Sequence, residues 1–201
     1  MKITEEFLYK FNVHSYDIKL IRENNLIGVE SPDFIEKLIE LDELTMANWF
    51  IVRILDKIDC AKYALYAAEQ VLPIFKEKYP NDDTPYGAIE LIKTHINNIW
   101  SISGIVLNII GDNIINALGR RVYGDDSHDN NSSYHARCVL RSVAYTAYVA
   151  RDVCNYVIDP DNFEDDVFIF GNAYITAVYA NDASDNKILK KILKNGIELL
   201  K

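Results

Sequence analysis

The sequence predicts an all-α fold, a layered bundle of antiparallel helices making one domain over residues 1–201. Three observations point there. Apolar residues recur at steps of three and four through most of the chain. Eight glycines and five prolines leave few breaks in 201 residues, which favours long helices. Strands are hard to find: Ile102 to Ile110 is the one serious candidate, and its spacing permits a helix as well. An apolar content of 49% with 25% charged residues is that of a globular protein and excludes intrinsic disorder.

The elements follow in order. Ser31-Pro32 reads as a helix start, serine as cap and proline in the first turn, with Phe34, Leu38 and Leu41 on one face. A second helix covers about Leu44 to Ile58, its bulk supplied by Trp49, Phe50, Val52 and Leu55. Asp59 is the expected cap of a third, whose rail is Cys60, Ala64, Ala68, Val71 or Leu72, Phe75 and Tyr79, with a kink about one turn upstream of Pro73 and a stop at Pro80. Thr84-Pro85 repeats the cap-plus-proline signal and opens a run through Ala88, Ile89, Ile92, Ile96 and Ile99 that continues to about Leu118, with Ser101 to Gly104 as a break. Gly124 to Ser133 holds no apolar residue and reads as an exposed loop. Ala136, Leu140, Val143, Ala147, Ala150, Cys154 and Val157 then step by four and three along one long helix, which Asp159-Pro160 ends. A further helix spans about Phe163 to Ala180, and Ser184 is the expected cap of a last one carrying Ile188, Ile192, Leu193, Ile197 and Leu200. Small residues at Ala144, Ala147 and Ala150, and again at Ala173, Ala177 and Ala180, would let helices approach closely. The likeness of these two alanine–tyrosine segments is a weak sign of helical-repeat character.

Catalytic signatures are missing. No phosphate-binding glycine loop, HExxH, GxSxG or CxxC occurs. His135 and Cys138 stand one helical turn apart and could share a metal, but His128 and Cys154 are distant, so no metal or cofactor is assigned. Arg53, Asp56 and Glu69 fall near apolar helix faces; with His135 they are the residues an unrecognised enzyme would use, whereas an Arg–Asp link between packed helices is the ordinary reading. Cys60, Cys138 and Cys154, odd in number, read as reduced thiols of a cytoplasmic protein. The N-terminus has acids within its first six residues and no apolar run, unlike a signal peptide. The richest apolar stretch, Ile96 to Leu118, carries too many asparagines and aspartates for a membrane span.

Charge is the remaining signal. Thirty acids against 21 bases give −9, which disfavours nucleic acid and favours a basic protein partner. Acids gather at Asp82-Asp83, at Asp125-Asp126 with Asp129, over Asp159 to Asp166, and at Asp182 with Asp185. Helix capping and solvation explain each cluster singly. Several on one end of a bundle would make a negative face that steers a basic partner.

The segment from Asp59 to Glu90 resembles the immunity proteins of bacterial polymorphic toxin systems, a family with phage-borne relatives. Matching positions are Tyr63, Ala67, Ala68, Glu69, Phe75, Tyr79, Pro80, Asp82, Pro85, Ala88, Ile89 and Glu90, about a sixth of the chain, with a looser echo in the alanine–tyrosine segments after Ala144. Thr84-Pro85-Tyr86 stands where the family has Arg-Pro-Arg. The resemblance implies a non-enzymatic inhibitor that neutralises a toxin effector domain by occlusion. The alternative is a phage-encoded anti-defence inhibitor whose acidic face imitates nucleic acid before a host nuclease. Asp82, Asp83, Tyr86, Tyr123, Asp125, Asp126 and Tyr134 are the candidate partner-binding residues, aromatic anchors within a charged rim. Alanine-seamed helices could equally close a homodimer.

Overall fold

Two short helices, which the periodicity does not reveal, open the chain. Thr4 caps α1 (Glu5–Lys10), its Oγ1 accepting the Phe7 N–H at 3.2 Å, and His14 caps α2 (Ser15–Glu23), its Nδ1 accepting the Tyr16 N–H at 3.3 Å. Arg22 forks onto the Glu5 carboxylate at 2.9 and 2.8 Å and ties the two together. The first residues pair with the segment ahead of the next helix through an isolated antiparallel bridge, Lys2 with Glu30, which seals Ile3 into the core. The computed structural model describes residues 1–98, 104–122, 130–158 and 166–201, and they form an all-α bundle.

Several expected boundaries move. In α3 (Ser31–Glu40) the cap position is Glu30; Ser31 is already helical and 2% exposed, packed beneath the N-terminus. Leu41 falls beyond the helix and is exposed, while Ile35 joins Phe34 and Leu38 in the core. Helix α4 (Leu44–Ile54) stops short of Ile58, because Leu55 is extended and the chain restarts at once as α5 (Lys57–Glu69). Its cap is Asp56, whose Oδ1 accepts the Asp59 N–H at 2.8 Å, so Asp59 sits inside the first turn. Pro73 produces a break and not a kink. A proline there has no N–H to give and crowds the carbonyl four residues back, at Glu69, where α5 ends; α6 (Leu72–Lys78) begins with that proline in its first turn.

Pro80 ends α6, and α7 (Thr84–Asn97) follows with Asp83 at the cap position. Helix α8 (Gly104–Val122) takes the described part of the isoleucine-rich segment weighed as a strand, from Gly104 to Ile110. Helix α9 (Asn130–Ile158) starts inside the stretch read as a loop, and α10 spans Asp166–Ala183, the expected start at Phe163 lying outside the described residues. Helix α11 (Leu189–Leu199) is not capped by Ser184: Asn181 reaches across the turn, its Oδ1 accepting the Leu189 N–H at 3.0 Å. Of the expected break at Ser101 to Gly104, residues 101–103 lie outside the described residues and Gly104 opens α8.

Helix α9 is the centre of the bundle, packing on α5, α6, α7, α8 and α10. Ala144, Ala147 and Ala150 of α9 and Ala173, Ala177 and Ala180 of α10 are all buried, so the two alanine–tyrosine segments lie within a pair of helices packed on each other. The pairing is antiparallel: Ser142 donates to the Thr176 carbonyl at 3.2 Å, and Asp152 accepts from Asn172 at 3.1 Å. Helix α8 also runs against α9, Gly104 facing Asn155 and Gly111 facing Tyr148. Buried polar groups are matched across helices. Tyr63 donates to Asn48 Oδ1 at 2.8 Å, Asn48 donates to the Tyr174 carbonyl at 3.2 Å, and Thr146 donates to the Ala64 carbonyl of α5 at 3.3 Å. Among the described residues no helix is long and apolar enough to cross a membrane.

Candidate functional site

The corner between α6 and α7 is built by its own sequence. Tyr79 ends α6, Pro80 cannot extend it, and the Asp82 N–H turns back to the Tyr79 carbonyl at 3.0 Å. The Asp82 carboxylate, half-buried, accepts the Thr84 N–H at 2.9 Å, which holds the first free amide of α7. The Asp83 side chain makes no cap bond; it points to solvent and pairs with Lys76 of α6. The same ammonium lies 5.9 Å from the centre of the Tyr86 ring, itself half-buried against the core. One lysine of α6 therefore meets both the acid and the tyrosine that α7 brings to the corner.

A second cluster joins the start of α9 to the turn after α10. His135 Nε2 is 2.9 Å from Asp185 Oδ1, and the Tyr134 hydroxyl donates to Asp182 Oδ2 at 3.5 Å. Asp185 and Asn186 both adopt left-handed backbone, φ +53° and +63°, a conformation their short polar side chains tolerate. The Cys138 thiol, and after it Asp182, push the Tyr134 phenol up to about 12. Burial raises the pKa of Cys138 and Cys154, which keeps both thiols neutral and poorly suited to attack or to metal ligation. Helix α6 connects the two clusters: Lys76 meets Asp83 on one side, while Ile74, Glu77 and Lys78 form an open groove with His135 on the other.

Of the predicted interface residues, Asp82, Asp83 and Tyr86 share the first cluster and Tyr134 belongs to the second. Tyr123, Asp125 and Asp126 lie outside the described residues, as do His128, Asp129 and the acids from Asp159 to Asp165. The three groups weighed for a shared polar cluster stand apart. The Arg53 guanidinium lies flat on Trp49 of its own helix, 3.6 Å from the ring centre, and donates to the Trp49 carbonyl at 2.8 Å. Asp56 is a cap, and Glu69 accepts from Lys93 of α7 at 2.9 Å. Among the described residues, no group of three or more histidines, cysteines and acids could hold a metal ion.

A polar network between α8, α9 and α10 escaped the reading of the sequence. Asp152, 3% exposed, accepts from Arg151 at 2.7 Å and from Asn172 at 3.1 Å; Arg151 also donates to Asn108 at 2.6 Å. Asp112 accepts from Tyr148 at 2.8 Å and from Asn108 at 3.1 Å. With every carboxylate oxygen of Asp152 and Asp112 bonded, the network fixes the seating of α8 on α9. The Arg-Asp pair embedded in an alanine-rich helix was the only sequence signal for it. Helix α8 also leaves Ile105, Val106 and Ile109 exposed on its outer face. No family model matches the chain, and neither the curated proteins nor the solved structures hold a match to it.

Proposed function

We propose that the chain is a cytoplasmic immunity-type inhibitor that binds a basic protein, a toxin effector domain, and blocks it by occlusion. The observation that carries this reading is where the immunity-like segment leads. Its last residues, Tyr79 to Glu90, form the α6–α7 corner, which offers Asp83 to solvent beside Tyr86 and Lys76. An exposed pair such as Lys76 with Asp83 is worth less than about 1 kcal/mol. A partner's lysine or arginine can therefore replace Lys76 at little cost, leaving Tyr86 as an aromatic anchor within a charged rim. Tyr134, and Tyr123 with Asp125 and Asp126, would extend the contact. The net charge of −9 favours fast encounter with a basic target and opposes direct contact with nucleic acid.

The test is capture of the partner from the native host by the tagged chain at low and at moderate salt, followed by assay of the captured protein. One stoichiometric basic protein that is released as salt rises, and whose activity the chain blocks, is the expected result. Capture of a host defence nuclease would transfer the role to the anti-defence alternative. A captured protein that stays fully active in the complex, or no captured protein at all, overturns the reading.

A further inference from the structure

His95 occupies the last full turn of α7, is 2% exposed, and carries the one buried side-chain nitrogen or oxygen among the described residues that lacks a hydrogen-bond partner, Nδ1. The ring borders a small void lined by Ile58 and Ala61 of α5, Ile96 of α7, and Ala150 and Val153 of α9. The void has room for on the order of one water molecule, but a buried water requires two to four polar partners, and among the described residues His95 is the only polar one lining this void. A neutral imidazole can leave Nδ1 unprotonated against such a wall. A charged one turns Nδ1 into a cationic donor with nothing to receive it, in surroundings that solvate it poorly.

Among the described residues, the charged groups that the neighbouring helices bring toward this end of α7 are engaged elsewhere. On α5, Asp59 pairs with Lys62 at 2.7 Å, Glu69 with Lys93 of α7 at 2.9 Å, and Lys57 lies 3.2 Å from the centre of the Tyr156 ring. On α8, Asp112 serves Tyr148 and Asn108; on α9, Arg151 pairs with Asp152, and the Cys154 thiol is neutral. On α7 itself Glu90 is exposed. No carboxylate among the described residues forms an ion pair with the His95 ring, and burial alone sets its basicity, which it lowers.

We propose that His95 is an acid-sensitive latch: α7 stays seated on α5 and α9 while the imidazole is neutral, and protonation of the ring unseats its C-terminal turns. The sign follows from linkage. A histidine less basic in the folded chain than in the unfolded one leaves stability intact above about pH 6.5, and stability is lost as pH falls from there toward the lower folded value.

Two readings on the wild-type chain test the latch. The His95 ring resonances, followed by NMR between neutral and mildly acid pH, should titrate below the ordinary imidazole value. Amide exchange of Leu91 to Asn97, corrected for the intrinsic effect of pH, should show the opening equilibrium rising by up to about tenfold per pH unit within the window. Reading α7 locally separates His95 from His14, which caps α2, and from His135, which faces Asp185. In His95→Leu, the pH dependence of those amides should vanish. A His95 that titrates at or above about 6.5, or α7 amides equally pH-dependent in His95→Leu, overturns the proposal.

Discussion

Gly196 offers the sharpest check on how the bundle is packed. It lies in α11, which crosses α4 and α5. A Cβ at this position would come within 2.3 Å of Ile51 Cδ1 and within 2.9 and 3.1 Å of Tyr63 Cε2 and Cδ2. Carbon atoms rest about 3.5–4.0 Å apart, so Gly196→Ala demands a movement of about 1.5 Å. Neither neighbour has room to give. Ile51 and Tyr63 are fully buried, and the Tyr63 hydroxyl is anchored on Asn48 at 2.8 Å. Overpacking of this kind costs about 1–3 kcal/mol, offset by about 0.8–1.0 kcal/mol of improved helix propensity. The balance is a loss of about 1 kcal/mol, up to about 2. Gly87, exposed in α7, has nothing within 4 Å of the corresponding Cβ. Gly87→Ala should therefore gain up to about 1 kcal/mol from propensity alone. Urea unfolding of both variants measures the contrast, provided the slope m is unchanged. A Gly196→Ala chain as stable as Gly87→Ala would show that α11 does not sit on Ile51 and Tyr63 as described.

Other consequences follow from single contacts. Tyr63→Phe strands Asn48 Oδ1 in the core and should cost about 1–3 kcal/mol in the same unfolding assay; a loss below about 0.5 kcal/mol would mean that oxygen finds another donor. Asp56→Ala should cost about 1 kcal/mol by uncapping α5, whereas Asp59→Ala breaks only a partly exposed pair with Lys62 and should cost about 0.5 kcal/mol. The reverse order would return the helix start to Asp59.

The helical rails were legible because burial in a bundle imposes its period on the chain. Cys60, Ala64, Ala68, Val71 and Phe75 are all buried, as are Ile89, Ile92 and Ile96 and the α9 series from Ala136 to Cys154. Caps were harder, because sequence gives the residue type and not where the chain turns. Ser31, Asp59 and Ser184 are good cap residues, yet the cap positions are Glu30, Asp56 and Ile188, with Asn181 of α10 accepting the Leu189 N–H. Helices α1 and α2, six and nine residues long, are too short to establish a period, and contacts with the rest of the bundle hold them. Acidic clusters were legible as charge and illegible as pairing. Lys76 reaches Asp83, seven residues on, only because Pro80 turns the chain back, and His135 meets Asp185 across two helices. Arg53 shows the limit of helical spacing: placed near an apolar face, it folds back onto Trp49 and leaves Asp56 and Glu69 to other partners.

The central claim is that the α6–α7 corner meets a basic partner, and the association rate at low salt tests it most directly. Asp82→Lys with Asp83→Lys, in a chain whose circular dichroism is that of the wild type, is expected to slow association by about tenfold or more while dissociation changes much less. An association rate equal to that of the wild type at low salt would contradict the claim and remove the corner from the interface.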